Sequence, residues 1–310
     1  MKHNLKISLI ILGMFLITQL IGLFVINFYL QEGNALPFGF DQQNLDTQNS
    51  ISFLFNLLFS FVIAIALVLI LTKIKSIIFM RAWFFIVICL ALGLTLNVIF
   101  SLLKLPMPAV FAITFGATFA YFKVFKRNIL LHNITELLIY PGIAAVFASI
   151  LNILTLIILL IIIAVYDVWA VWHSGIMQKM AKYQIENVKV FSGFFIPYAS
   201  KKIKDKIKFL KQKYKNKLIP GAVIKKNHIK VNLAILGGGD IIFPIISAGV
   251  ILKAWDLIPA LVVVLFSFLA LLYLFMFAKK KKFYPAMLYL STGILLGILA
   301  GWLIMNLMSR

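Results

Sequence analysis

Long apolar segments dominate this sequence and leave a lipid bilayer as the solvent in which it can fold. Nine segments of roughly 20 mostly apolar residues alternate with polar stretches, and each is long enough to cross a membrane as a helix. Hydrophobic residues make up 63% of the chain and charged residues only 13%, whereas a soluble domain averages about 25% charged residues. We therefore predict an all-α polytopic membrane protein with nine transmembrane helices.

The predicted helices follow the limits of the apolar segments. They cover residues 5–30, 51–72, 82–103, 106–125, 132–151, 153–173, 232–252, 257–278 and 283–308. Only a polar interruption near Asn152 separates the fifth from the sixth. The chain thus divides into a six-helix part (1–173), a Lys-rich loop (174–231) and a three-helix part (232–310).

Basic residues are unevenly distributed between the two sides of the membrane. The chain holds 30 Lys plus Arg and nine Asp plus Glu, and in membrane proteins such an excess collects in cytoplasmic loops. With the N-terminus inside and the long loop left out, 12 basic residues lie inside and three, Lys104, Lys253 and Arg310, outside. We predict a cytoplasmic N-terminus, an extracytoplasmic C-terminus and a place in the cell membrane. The partner is then the lipid bilayer rather than nucleic acid.

Two pieces of the cytoplasmic Lys-rich loop are less polar than the rest. Residues 188–198 and 222–231 are short and rich in β-branched or aromatic side chains, a composition typical of strands. The stretch between them carries most of the lysines and is typical of a solvated surface near lipid headgroups.

Two acids stand inside the apolar segments. Asp167 interrupts the sixth predicted helix and Asp240 the seventh. An ionisable group in a spanning helix costs about 2.5–3.5 kcal/mol, so each is a candidate functional residue. Asp167 lies about 9 Å from the inner end of its helix and Asp240 about 10 Å from the inner end of the next. Antiparallel neighbours would bring both carboxyls to one level.

Paired carboxyls have a defined chemistry. Two such groups close together share one proton, because ionising both is unfavourable. The ionised group can then take a proton from water while the other protonates the carbonyl oxygen of a peptide bond and later the leaving amine. This chemistry needs no cofactor and no metal.

Three glycines precede Asp240. Gly237, Gly238 and Gly239 are costly in a helix, at about 0.8–1 kcal/mol each against alanine. Close packing of helices explains such a run on its own. Attached to an intramembrane acid, it also favours a loosened helix that admits water and an extended peptide.

The Tyr166-Asp167 pair, with Gly237-Gly238-Gly239-Asp240 in the next helix, resembles the YD and GxGD motifs of the presenilin and signal peptide peptidase family. The stretch from Glu136 to Tyr140, with Glu136 expected at the membrane interface, and Phe243-Pro244 resemble its archaeal members. The resemblance implies an aspartic-type intramembrane endopeptidase that cleaves transmembrane segments or signal peptides. It makes Asp167 and Asp240 catalytic and Tyr166, Gly237 and Gly239 their support.

The same family carries a Pro-Ala-Leu motif at the start of its last helix, and the sequence offers two candidates. Pro259-Ala260-Leu261 matches by letter but opens a helix on the outer side, away from the predicted level of the acids. Pro285-Ala286-Met287 differs by one apolar residue and opens the last helix on the inner side. Depth therefore favours Pro285, Ala286 and Met287 as further site residues.

Relatives bind unwound substrate as a β-strand beside a segment that precedes the GxGD helix, a role that the resemblance gives to 222–231. Two other functions remain open on the residues alone. A proton- or cation-coupled transporter also places acids inside the membrane, and prepilin-type peptidases also carry GxGD.

Overall fold

Helices make up nearly all of the computed structural model. It describes residues 5–31, 33–40, 76–126, 128–174, 191–198, 232–278 and 284–308, and scattered positions between 52 and 71. The helices are α1 Leu5–Leu30, α2 Ile77–Leu102, α3 Pro108–Phe125, α4 Ile129–Ile150, α5 Ile153–Trp169, α6 Gly238–Trp255, α7 Leu257–Phe277 and α8 Ala286–Met308. Two strands, β1 Gly193–Tyr198 and β2 Asn232–Gly237, complete the described part.

Eight helices within the described ranges are long and apolar enough to cross a membrane. They correspond to eight of the nine predicted spans, so the helical, multi-pass architecture is confirmed. The remaining span, 51–72, is described only in part, and its described positions are mostly helical. The loop at 41–50 and most of the Lys-rich loop lie outside the described residues.

The predicted break near Asn152 is confirmed. Asn152 caps the start of α5: its side chain accepts a hydrogen bond from the Thr155 backbone N–H at 2.9 Å. The Thr155 hydroxyl in turn accepts from the Asn152 backbone N–H at 3.0 Å. This reciprocal pair satisfies two of the donors that a helix start leaves open. At its other end α5 continues as a π-helix over Ala170–Ser174.

The prediction of a helix over 232–252 was wrong at its start. Residues 232–237 form β2, which pairs antiparallel with β1 from Gly193 opposite Gly237 to Tyr198 opposite Asn232. A short apolar run such as this fits a strand or a helix equally well by periodicity. Pairing with β1, which is distant in sequence, makes residues 232–237 a strand. The strand predicted within 188–198 is confirmed over 193–198, while 222–231 lies outside the described residues.

The helix that follows β2 lies at the centre of the bundle. α6 contacts α1, α4, α5, α7 and α8, and its inward residues Ile241, Ile245, Ala248 and Ile251 are fully buried. Large apolar side chains on the outer helices stay exposed, as expected of surfaces that face lipid. The start of α6 is therefore held on several sides by its neighbours.

Candidate active site

The fold brings the two predicted acids together. Asp167 lies in the last turn of α5 and is 5% exposed, while Asp240 lies in the first turn of α6 and is partly exposed. α5 and α6 are in contact, and the two carboxyls are close enough to interact electrostatically. Their approach arises because α5 ends and α6 begins on the same side of the bundle.

Asp167 is oriented by the start of the last helix. Its Oδ2 accepts a hydrogen bond from the Met287 backbone N–H at 2.9 Å. Met287 is the second residue of α8, where backbone N–H groups have no partner within the helix. The positive end of a helix dipole also favours a negative charge there. The N–H of Met287, which has no partner within its helix, and the buried Asp167 carboxyl thus satisfy each other.

Asp240 lies close to the start of its own helix. Its carboxyl faces Gly237, the residue that caps α6, and a Cβ built on Gly237 would lie 3.4 Å from Asp240 Oδ2. An acid at the third helical position near the cap is a recurrent helix-start arrangement, because the helix start favours negative charge. The strand-to-helix junction therefore surrounds this carboxyl with backbone.

The two proline candidates lie at opposite ends of α8. Pro259 is next to Gly301, near the C-terminal end of that helix. Pro285 immediately precedes its N-terminus and is buried. Of the two proline segments as the structure describes them, that of Pro285 delivers a backbone donor to Asp167, through Met287. The position of the Pro285 segment therefore agrees with its predicted depth near the aspartates. The roles of Pro285 and Ala286 in the site stay predictions.

The three glycines differ in what surrounds them. A Cβ on Gly237 would meet Asp240 Oδ2 at 3.4 Å, and one on Gly239 would meet the Phe243 ring at 3.9 Å, both ordinary contacts. A Cβ on Gly238 would lie 2.4 Å from the Ser192 hydroxyl oxygen and 2.8 Å from that of Tyr140. Gly238 is therefore the sterically constrained member, which the sequence pattern alone did not single out.

Tyr166 points away from the bundle interior. Its side chain is 41% exposed, and its ring stacks at a tilt on Trp169 with 6.3 Å between centroids. A supporting role for Tyr166 stays a prediction.

A groove opens beside Asp167 between α5 and α8. It encloses about 340 Å³. Its walls are mostly apolar, and they are formed by Ile161, Ala164, Val165, Val168, Leu288, Ser291, Thr292 and Leu295. The groove therefore lies within one or two helical turns of the Asp167 carboxyl, along the lipid-facing side of α5 and α8.

The β1–β2 sheet leaves one backbone edge open among the described residues. Asn133 occupies the outer edge of β1: its side chain donates to the Phe195 carbonyl at 2.8 Å and accepts from the Phe195 N–H at 3.0 Å. The Gly238 N–H donates to the Ser192 carbonyl at 3.2 Å. Because hydrogen-bonding directions alternate along an antiparallel pair, Leu233 and Ile235 point their backbone groups away from β1.

Comparison with known proteins decides the family. A family model described as signal-peptide peptidase, presenilin aspartyl protease matches residues 12–308. The chain belongs to this family. It is accordingly an aspartic-type intramembrane endopeptidase that acts on transmembrane segments, and the transporter and prepilin-type alternatives are set aside. No curated protein matches the chain.

Solved structures of the presenilin family share this fold. One presenilin family intramembrane aspartate protease, crystallised in space group C222, is 20% identical with a TM-score of 0.58. It covers 96% of this chain and 99% of its own. Another presenilin family intramembrane aspartate protease structure, in space group P2, is 19% identical with a TM-score of 0.56, covering 95% and 96%. The nearly complete mutual coverage shows that the architecture is shared from end to end.

The Met287 donor can be removed without removing the helix start. Met287→Pro deletes the N–H that binds Asp167, and the first helical turn tolerates proline. A hydrogen bond to a charged group is worth about 1.5–3 kcal/mol. We expect the rate of cleavage of a transmembrane substrate in proteoliposomes to fall by roughly 10- to 100-fold.

Met287→Leu is the matched control, since it changes only the side chain and keeps the N–H. We expect this variant to cleave at close to the original rate. Equal activity of the proline and leucine variants would show that the donor at residue 287 does not matter.

Proposed function

We propose that Asp167 and Asp240 are the catalytic pair of this intramembrane protease and act together on one water molecule. The observation that carries the proposal is that the end of α5 and the start of α6 bring the two carboxyls within electrostatic reach of each other, with the Asp167 carboxyl oriented by the Met287 N–H. This arrangement leaves carboxyl oxygens available for water and substrate on both sides of the pair.

The reaction follows from one proton shared by two carboxyls. The ionised carboxyl removes a proton from water as the oxygen attacks the peptide carbonyl carbon, and the protonated one donates to the carbonyl oxygen. As the tetrahedral intermediate collapses, one of its hydroxyls returns a proton to the pair, the C–N bond breaks, and the amine leaves with a proton from the pair. The products are a carboxylic acid and an amine, and the dyad regains its starting proton count.

The substrate backbone would bind along the open edge of β2. A helical transmembrane segment has its amides bonded internally and must unwind before cleavage. The unwound stretch could then pair with the N–H and C=O groups of Leu233 and Ile235, which lie a few residues before Asp240. Strand addition here delivers a peptide bond toward the dyad. Transmembrane anchors and signal peptides have the required apolar, helical character.

The 310 residues form nine transmembrane helices under this proposal, with residues 51–72 as the second. The excess of Lys and Arg in the inner segments supports a cytoplasmic N-terminus and an extracytoplasmic C-terminus. The three-part division at 174–231 and the cell membrane location rest on the same pattern. With this orientation the dyad lies in the cytoplasmic half of the bilayer.

Replacing either aspartate by the isosteric asparagine tests the catalytic pair. Asp167→Asn and Asp240→Asn keep shape but cannot share or transfer the proton, so we expect cleavage to fall below detection in both. Product formation is measured by mass spectrometry on purified enzyme and a single-span substrate in proteoliposomes.

Asp256→Asn is the control, because this acid caps α7 at the far end of α6 and lies outside the site. It should cleave normally. Sustained turnover by either Asp167→Asn or Asp240→Asn would refute the catalytic pair.

The open edge of β2 can be tested at one backbone atom. Ile235→Pro removes the N–H that points away from β1 and leaves the β1–β2 bonds in place, a position that edge strands tolerate. We expect KM for a transmembrane substrate to rise or cleavage to be lost. Ile235→Ala keeps the N–H and should cleave at close to the original rate; identical kinetics for both variants would contradict strand addition at this edge.

A further inference from the structure

One face of α4 carries polar groups into the protein interior. His132, Asn133 and Tyr140 follow helical spacing and bond to the segment 192–195, which includes the start of β1. His132 Nε2 lies 2.8 Å from the Gly193 carbonyl oxygen. Asn133 binds the outer edge of β1 as described above. His132 and Asn133 therefore hold β1 in place, and β1 in turn pairs with β2.

Tyr140 reaches the junction that precedes Asp240. Its side chain is 2% exposed, and its hydroxyl forms a hydrogen bond with the Ser192 hydroxyl at 3.1 Å. The Ser192 carbonyl accepts from the Gly238 N–H at 3.2 Å. Two hydrogen bonds thus connect the Tyr140 ring to the first residue of the helix that carries Asp240.

The fit around Gly238 shows how closely these groups approach. The Tyr140 hydroxyl and the Ser192 hydroxyl both occupy the space that a side chain on residue 238 would need. The Tyr140 ring also meets Phe194 of β1 edge to face, with 6.2 Å between centroids. Tyr140 is therefore in contact with both sides of the strand-to-helix junction.

Glu136 was expected at the membrane interface, but the structure buries it. It is 1% exposed and forms an ion pair with Lys123 of α3. Lys123 is 8% exposed and also donates to the Thr135 hydroxyl at 3.4 Å. A buried acid of this kind requires a paired cation. Glu136 lies one helical turn before Tyr140, so α3, α4 and the junction share one polar cluster.

We propose that Tyr140 is a positioning residue: its hydrogen bond to Ser192 holds the Ser192–Gly238 junction in the geometry that presents Asp240 to its partner. The inference rests on the proposed catalytic role of Asp240. Tyr140 does not touch the substrate or the reacting atoms. It acts on the backbone that opens α6, and Glu136, paired with Lys123, lies on α4 one turn before Tyr140.

The test is a double-mutant cycle on purified enzyme in proteoliposomes. Tyr140→Phe and Ser192→Ala each remove one hydroxyl of the same hydrogen bond. We expect kcat to fall between about 10- and 100-fold in each, with KM little changed, because the substrate-binding edge of β2 is left in place. The double variant should lose no more than the worse single variant, since both changes remove one interaction.

Three comparisons separate positioning from general stability. Ser192→Thr keeps a hydroxyl and should retain kcat. Tyr29→Phe removes another buried tyrosine hydroxyl, which donates to the Leu94 carbonyl at 2.7 Å far from the junction, and should affect thermal stability without lowering kcat. Should Tyr140→Phe fail to fold, the Ser192→Ala and Ser192→Thr pair carries the test.

Asp240→Asn, measured alongside, distinguishes the two ways in which the inference can fail. Unchanged kcat in Tyr140→Phe and Ser192→Ala, with Asp240→Asn inactive, would overturn the positioning role and keep the catalytic pair. Additive losses in the double variant would also overturn it. Activity in Asp240→Asn would overturn the catalytic assignment itself.

Discussion

Burying carboxyl groups in a bilayer is the physical problem around which this structure is organised. An acid in hydrocarbon is costly unless polar groups surround it. Asp167 meets the requirement with a backbone N–H from the start of α8, and Asp240 lies in the first turn of α6. Helix starts supply unbonded backbone donors in an apolar bundle without any polar side chain. The site therefore forms where two helices begin beside the end of a third.

That solution demands irregular backbone at membrane depth. Strand β2 and the glycine junction expose backbone groups that lipid cannot satisfy, and such backbone is tolerated only within protein or next to a water-filled space. β1 bonds one edge of β2, and the polar face of α4 bonds the other edge of β1. The open edge that remains beside Asp240 is then available to an unwound peptide. The proposed catalytic pair and the proposed substrate edge thus adjoin the same break in the helical pattern.

The parts of the site that could be predicted from sequence were the residues whose burial in a membrane helix is energetically unfavourable. Asp167 and Asp240 are conspicuous because acids are expensive in apolar helices, and equal depth from the inner boundary was enough to pair them. Depth also favoured Pro285 over the better letter match at Pro259, and Met287 does bond to Asp167. These inferences need only helix geometry and position along the chain.

Contacts between distant segments could not be predicted in the same way. The run at 232–237 has the composition of a helix or a strand, and only its pairing with β1 decides. Glu136 was placed at the interface because it lies near the inner end of its helix, whereas its ion-pair partner Lys123 lies on another helix. Gly238 stands between two glycines of the motif, yet the groups that crowd it, Ser192 and Tyr140, are far away in sequence. Each of these features depends on a tertiary contact that the neighbouring sequence does not indicate.

Cross-linking tests most directly whether the two acids face each other in the membrane. Cys89 is the single cysteine of the chain, so Cys89→Ala provides a clean background for Asp167→Cys combined with Asp240→Cys. A short bifunctional thiol reagent should join that pair, detected by mass spectrometry after digestion, and should not join Asp167→Cys to Pro259→Cys. Failure to link residues 167 and 240, while each thiol reacts singly with a monofunctional reagent, would contradict the account.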